Sequence, residues 1–118
     1  MRPVAELLAA HCRPLEGRAA MSAEQVTAQL VVLAQWRLVD GSISRIYRFA
    51  GFLETIAFVD ALAWMVHRED HHPDLLVGYD RCEVRFSTHS VGGISANDFI
   101  CAAKADAIFD QRYGSATA

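Results

Sequence analysis

Proline is scarce in this 118-residue chain: Pro3, Pro14 and Pro73 are the only three, so no ring forces a backbone break between positions 14 and 73. Cysteine is scarce too. Cys12, Cys82 and Cys101 form an odd set without a CxxC pair, which argues against a disulfide framework and for a reducing compartment, by default the cytoplasm. Lysine is almost missing, since ten of the eleven basic residues are arginine, and these are scattered along the sequence with no patch standing out. With a formal net charge of −3, the chain is not expected to be held to nucleic acid by charge. No apolar run approaches the ~20 residues that span a bilayer. The opening MRPVAELLAAHC is too short and too polar for a secretory core. Neither nucleic acid nor membrane is an expected partner.

What is present is material for a core. Apolar residues make up 53% of the chain and charged ones 21%, enough for one packed domain. Residues 1–20, with a short helical pattern followed by Pro14 and Gly17, read as a loosely attached N-terminal arm; residues 21–118 read as the domain. Ser22 with Gln25 three residues on makes a capping box, and Val26, Leu30 and Leu33 continue a helical stripe. Trp36 to Val39 reads as a short strand, Asp40-Gly41 as a type I′ turn, and Ile43 to Phe49 as the returning strand. A long helix is predicted from Gly51 to about Arg68. Its core stripe is Phe52, Ile56, Val59, Ala63 and Val66. The other face, with Phe58, Ala61, Met65 and Trp64 beside Glu54 and Arg68, is too apolar for solvent and suggests an oligomer interface. After Pro73, Leu75 to Tyr79 and Cys82 to Ser87 form a second strand pair. Gly92-Gly93 reads as a flexible loop, and Ser95 with Asp98 caps a last helix carrying Phe99, Ala103, Ala107 and Ile108. The expected fold is α+β, in the order α-β-β-α-β-β-α, with helices on one face of a four-stranded antiparallel sheet.

Four of the five histidines, His67, His71, His72 and His89, fall between positions 67 and 89. Imidazoles give and take protons near neutral pH. If the two hairpins share a sheet, the start of the third strand and the end of the fourth lie at one edge, and His71, His72 and His89 can meet there. Plainer explanations exist for each residue. A surface histidine usually has no function. His67 and His71 are four apart, as a helical metal pair would be, but Arg68-Glu69-Asp70 between them is not HExxH. Asp98 suits a helix N-terminus, worth ~0.5–1 kcal/mol. Cys82 and Cys101 fall on apolar stripes and read as core.

The full arrangement is more specific. His67, His71-His72-Pro73, Tyr79, Ser87-Thr88-His89 and Asp98, with the Trp36 to Gly41 strand and turn, Tyr47 and Phe49, and Phe52 and Ala57-Phe58, resemble the signature of the pterin-4a-carbinolamine dehydratases from about Trp36 to about Ala107. The resemblance implies a small α+β protein that assembles into homodimers or homotetramers. It implies dehydration of 4a-hydroxytetrahydropterin to quinonoid dihydropterin, which recycles the pterin of aromatic amino-acid hydroxylases, typically phenylalanine hydroxylase. No metal or organic cofactor is implied. His71 and His89 would carry the acid–base work and His72 mainly pterin binding. Asp98 would orient His89 or hydrogen-bond the pocket. Asp70, Ser87 and Thr88 would lie near the ring, and Tyr79 would be structural. Two positions depart from the pattern: His67 stands where many relatives have Glu, and Leu75 where many animal members have Trp, which bears on affinity more than on activity. The alternative is a non-enzymatic binding protein, since animal relatives also act as coactivators through the helix face used for assembly.

Overall fold

A computed structural model of the chain describes residues 1–114; the last four positions of the expected domain lie outside the described residues. Its helices are α1 (Val4–Ala9), α2 (Ala23–Leu30), α3 (Phe52–Glu69) and α4 (Ala96–Phe109), and its strands β1 (Arg37–Val39), β2 (Ser42–Arg48), β3 (Asp74–Val77) and β4 (Arg81–Phe86). The local chemistry read from the sequence sets the boundaries. Gln25 N–H donates to Ser22 Oγ at 3.1 Å and Ser22 N–H donates to Gln25 Oε1 at 2.8 Å, closing the capping box of α2. Asp40 and Gly41 take φ of 49° and 78°, as a type I′ turn requires.

The four strands form one antiparallel sheet in the order β1-β2-β4-β3. Strand β4 lies beside β2, with Ile43 opposite Phe86 and Tyr47 opposite Cys82, which leaves β3 at an edge. By alternation, Ile43, Arg45 and Tyr47 of β2 and Cys82, Val84 and Phe86 of β4 face the helices. On the opposite face, Ser44 and Arg85 both donate to Glu83 Oε2, at 2.8 and 2.6 Å. The α+β class and the single helical face are therefore as expected.

The inward face of α3 is not. Its buried residues are Thr55, Phe58, Leu62, Met65 and Val66. Phe52 and Trp64 are 51% and 62% exposed, and Ile56 39%. Of the expected stripe, Val66 is buried and Val59 packs against the core, whereas Phe52, Ile56 and Ala63 face outward. This helix is apolar nearly all round, so spacing alone does not orient it. Aromatic packing does: the Phe58 ring lies 4.6 Å from Tyr47 and 5.3 Å from Phe49. Thr55 can turn inward because its hydroxyl donates to the carbonyls of Gly51 and Tyr79, both at 3.0 Å. An apolar outer face does exist, but it carries Phe52, Ile56 and Trp64 rather than Phe58 and Met65.

The arm is docked rather than loose. Leu7 is buried in the core, and α1 lies against α4. Two buried amide side chains each grip a backbone unit of the arm with both of their polar ends. Gln29 accepts from Arg2 N–H and donates to Arg2 carbonyl, at 2.8 and 2.9 Å. Asn97 does the same to Arg13, at 3.1 and 2.7 Å. With α1 and the arm on its outer side, α4 is buried on nearly every face from Asn97 to Ala103, beyond the one stripe its pattern suggests. The Gly92-Gly93 segment is also ordered: a 3₁₀ turn spans His89–Val91, and Thr88 bridges to Gly93.

Candidate active site

The site is built where α3 ends. Asp70 adopts a left-handed conformation (φ 52°, ψ 45°), and the N–H of His71 reaches back to the Val66 carbonyl at 3.3 Å. Pro73 cannot continue the helix, so the chain turns into β3 with His71 pointing inward. His71 is therefore not on one helical face with His67, which stays exposed on α3, and the two do not form a metal pair.

Asp98, fully buried at the first turn of α4, receives His71. The His71 Nε2 to Asp98 Oδ1 distance is 2.6 Å, and the imidazole lies nearly parallel to Phe86, with centroids 6.0 Å apart. The other carboxylate oxygen accepts from Thr88 Oγ1 and from Ser95 N–H, both at 2.8 Å. Thr88 Oγ1 also lies 2.7 Å from Ser95 Oγ. Donor counting orients the chain of protons. Because the Thr88 hydroxyl donates to the carboxylate, the Ser95 hydroxyl donates to Thr88, and an ionised Asp98 requires the proton of His71 to sit on Nε2. Of the two parts expected of Asp98, the link to His89 is not made and the hydrogen bonding at the pocket is; its partner is His71, brought into reach by the end of α3.

A cavity of about 220 Å³ opens at His71, lined by His71, Asp70, Thr88 and Asn97 together with Arg13 and Glu16 of the arm. The structure thus brings together His71, Asp98, Thr88 and Asp70. His72 and His89 are exposed and do not line this cavity, and Ser87 is half-buried at the end of β4. Leu75 lies on edge strand β3, in a separate shallow depression with Asp74, Leu76, Glu83 and Arg85. Tyr79 is exposed and stacks on Phe52.

The arm residues were not legible as site residues, because no motif marks them and only the docking of α1 brings them here. Glu69 ties them down. Its carboxylate accepts from Lys104 Nζ at 2.7 Å and Cys12 N–H at 2.8 Å, and lies 2.9 Å from His11 Nδ1. Burial alone would push its pKa up, but Lys104, the Cys12 amide and His11 together outweigh it and lower it to about 2. Cys12 Sγ lies 3.5 Å from Cys101 Sγ, and that contact together with burial pushes the Cys101 thiol pKa well up. Among the described residues there is no cluster of three or more metal-ligating side chains, and no helix is long and apolar enough to cross a membrane.

The chain is similar to known proteins. Residues 19–108 match the family described as pterin 4 alpha carbinolamine dehydratase. The chain is 49% identical over 111 residues to a Nitrosomonas europaea protein named "putative pterin-4-alpha-carbinolamine dehydratase", covering 92% of this chain and 98% of the relative. A Xanthomonas campestris protein of the same name is 54% identical over 105 residues, covering 86% and 89%. Among solved structures, a transcriptional coactivator/pterin dehydratase from Brucella melitensis superposes with a TM-score of 0.72 at 30% identity, covering 75% of this chain and 97% of that one.

Proposed function

The chain belongs to the pterin-4a-carbinolamine dehydratase family, and from that premise we propose that it dehydrates 4a-hydroxytetrahydropterin to quinonoid dihydropterin by histidine acid–base catalysis. In this reaction the bond from carbon 4a to its hydroxyl breaks, and N5 loses its proton. Hydroxide is a poor leaving group, so an acid protonates it as it departs and water is released. A base takes the proton from N5. Two imidazoles serve both tasks, each worth typically 10²–10⁴-fold.

The observation that carries this reading is the His71–Asp98 pair at the cavity wall. With Nε2 committed to a buried carboxylate, Nδ1 is the nitrogen left to exchange a proton with the substrate. His89 is the second acid–base group and His72 a binding group. Asp70 and Ser87 serve the pyrimidine edge, with His67 and Leu75 at the rim. Thr88 has a second part beside the ring contact expected of it. Its hydroxyl donates to Asp98 and its N–H to Gly93, so it is a positioning residue for the pair. Quinonoid dihydropterin is what a hydroxylase-linked recycling pathway would reduce again, so the protein would work in the cytoplasm beside an enzyme such as phenylalanine hydroxylase. Homodimers or homotetramers would form over the outward apolar face of α3, where Phe52, Ile56 and Trp64 are exposed, and along edge strand β3. No metal or organic cofactor enters the mechanism.

The test is direct. A hydroxylase supplies fresh 4a-hydroxytetrahydropterin, and its decay is followed in ultraviolet absorbance. The purified protein should accelerate decay at catalytic concentrations; a folded protein that leaves the spontaneous rate unchanged would overturn the enzymatic reading. The exposed α3 face favours a second reading, a binding protein without catalysis, and that is the reading such a result would leave.

A further inference from the structure

The fold gathers what the sequence scatters. Arg2, Arg13 and Arg18 line a cleft of about 560 Å³ between the arm and the first turn of α4, and none of the side chains lining it is a carboxylate. Among the described residues, no guanidinium of the three has a carboxylate within ion-pair distance. In a chain of net charge −3, three arginines without an ion pair around one depression are conspicuous. Two of them are also held in place: Gln29 and Asn97, both buried, grip the backbone of Arg2 and Arg13 through N–H and carbonyl together. Ala96 and Asn97, at the positive end of α4, close the cleft.

This cleft adjoins the cavity at His71. Arg13, Pro14, Leu15 and Asn97 line both. The two halves differ in charge. Asp70 and Glu16 line the His71 side and suit the N–H donors of an aminopyrimidine edge, whereas the arm side offers arginines, whose planar forks fit carboxylate and phosphate oxygens.

We propose that this cleft is an anion subsite for the substrate's side chain, so that the pterin taken by the neighbouring pocket carries a carboxylate or a phosphate on its 6-substituent. The proposal rests on the pterin reading of the His71 pocket and deepens it. The ring lies by His71 and Asp70, the substituent passes Arg13, and its anionic end meets Arg2 and Arg18.

Equilibrium binding to the full-length protein tests this without turnover, by titration calorimetry with three stable pterins: 6-hydroxymethylpterin, its monophosphate ester and pteroylglutamate. At least one anionic probe should bind about tenfold or more tightly than the neutral one. An Arg2→Gln/Arg18→Gln variant, shown to be folded by circular dichroism, should abolish that preference, and raised salt should weaken it. Preference for the phosphate ester alone or for the glutamate alone identifies which anion the subsite accepts. Equal affinity for all three probes, or a preference that survives the double substitution, overturns the subsite and leaves the pterin pocket standing. If no probe binds, the pocket reading fails and the subsite fails with it.

Discussion

Replacing Glu69 with Gln should cost stability in a way that depends on pH. Three donors converge on this one carboxylate, from α4 (Lys104) and from the arm (Cys12 N–H and His11). They lower its pKa from 4.5 to about 2, a gap worth about 3 kcal/mol at neutral pH. The unfolded chain takes up a proton near pH 4.5, whereas the folded chain resists until about pH 2. The contribution is therefore complete above pH 4.5 and is lost as the pH falls towards 2. Gln does not titrate, so Glu69→Gln should be about 2–3 kcal/mol less stable at pH 7, and that difference should shrink steadily below pH 4.5. Urea unfolding followed by tryptophan fluorescence at pH 7, 5.5, 4.5 and 3.5 measures it, since Trp36 is buried and reports on the core. A difference that is the same at pH 7 and pH 3.5 would refute the reasoning, because it would mean the charge of Glu69 is not what binds the arm.

Three other outcomes follow from the geometry. Asp70→Gly should stabilise the fold by ~0.5–1 kcal/mol in urea unfolding, because glycine takes the left-handed conformation without the Cβ penalty; a loss of stability would contradict the end assigned to α3. Asp98→Asn, checked for folding, should lower kcat by about 10²-fold or more, since an amide places a donor where His71 Nε2 needs an acceptor and disturbs its tautomer; an unchanged kcat would dissociate Asp98 from the chemistry. Phe58→Ala should destabilise by ~3–5 kcal/mol, whereas Phe52→Ala in dilute protein should cost under ~1 kcal/mol. Equal effects on thermal unfolding would restore the helix orientation that spacing suggested.

What was legible in the sequence is what depends on neighbours along the chain. The capping boxes at Ser22 and Ser95 and the Asp40-Gly41 turn need only residues a few positions apart, and each forms. Alternation along β4 holds because its outer face is polar. The orientation of α3 was not legible, because Phe52, Ile56 and Trp64 are as apolar as Phe58, Leu62 and Met65, and only the ring cluster of Tyr47, Phe49 and Phe58 distinguishes them. The histidines were visible as a spacing, and so was the acid at position 98, but of His71, His72 and His89 only His71 lines the cavity. Which histidine Asp98 would meet was not visible, since that depends on the left-handed turn at Asp70. The arm's part in the cavity was hidden for the same kind of reason: two amide side chains far along the chain fix its path, and nothing within residues 1–20 announces them.

The central claim is that His71 and His89 divide the proton transfers of a pterin dehydration. The measurement that tests it most directly is the decay rate of enzymatically generated 4a-hydroxytetrahydropterin with equal amounts of wild type, His71→Ala, His89→Ala and the double variant. Wild type should accelerate decay, each single substitution should cost roughly 10²-fold or more, and the double variant should leave the spontaneous rate. Full acceleration by the folded double variant would contradict the account.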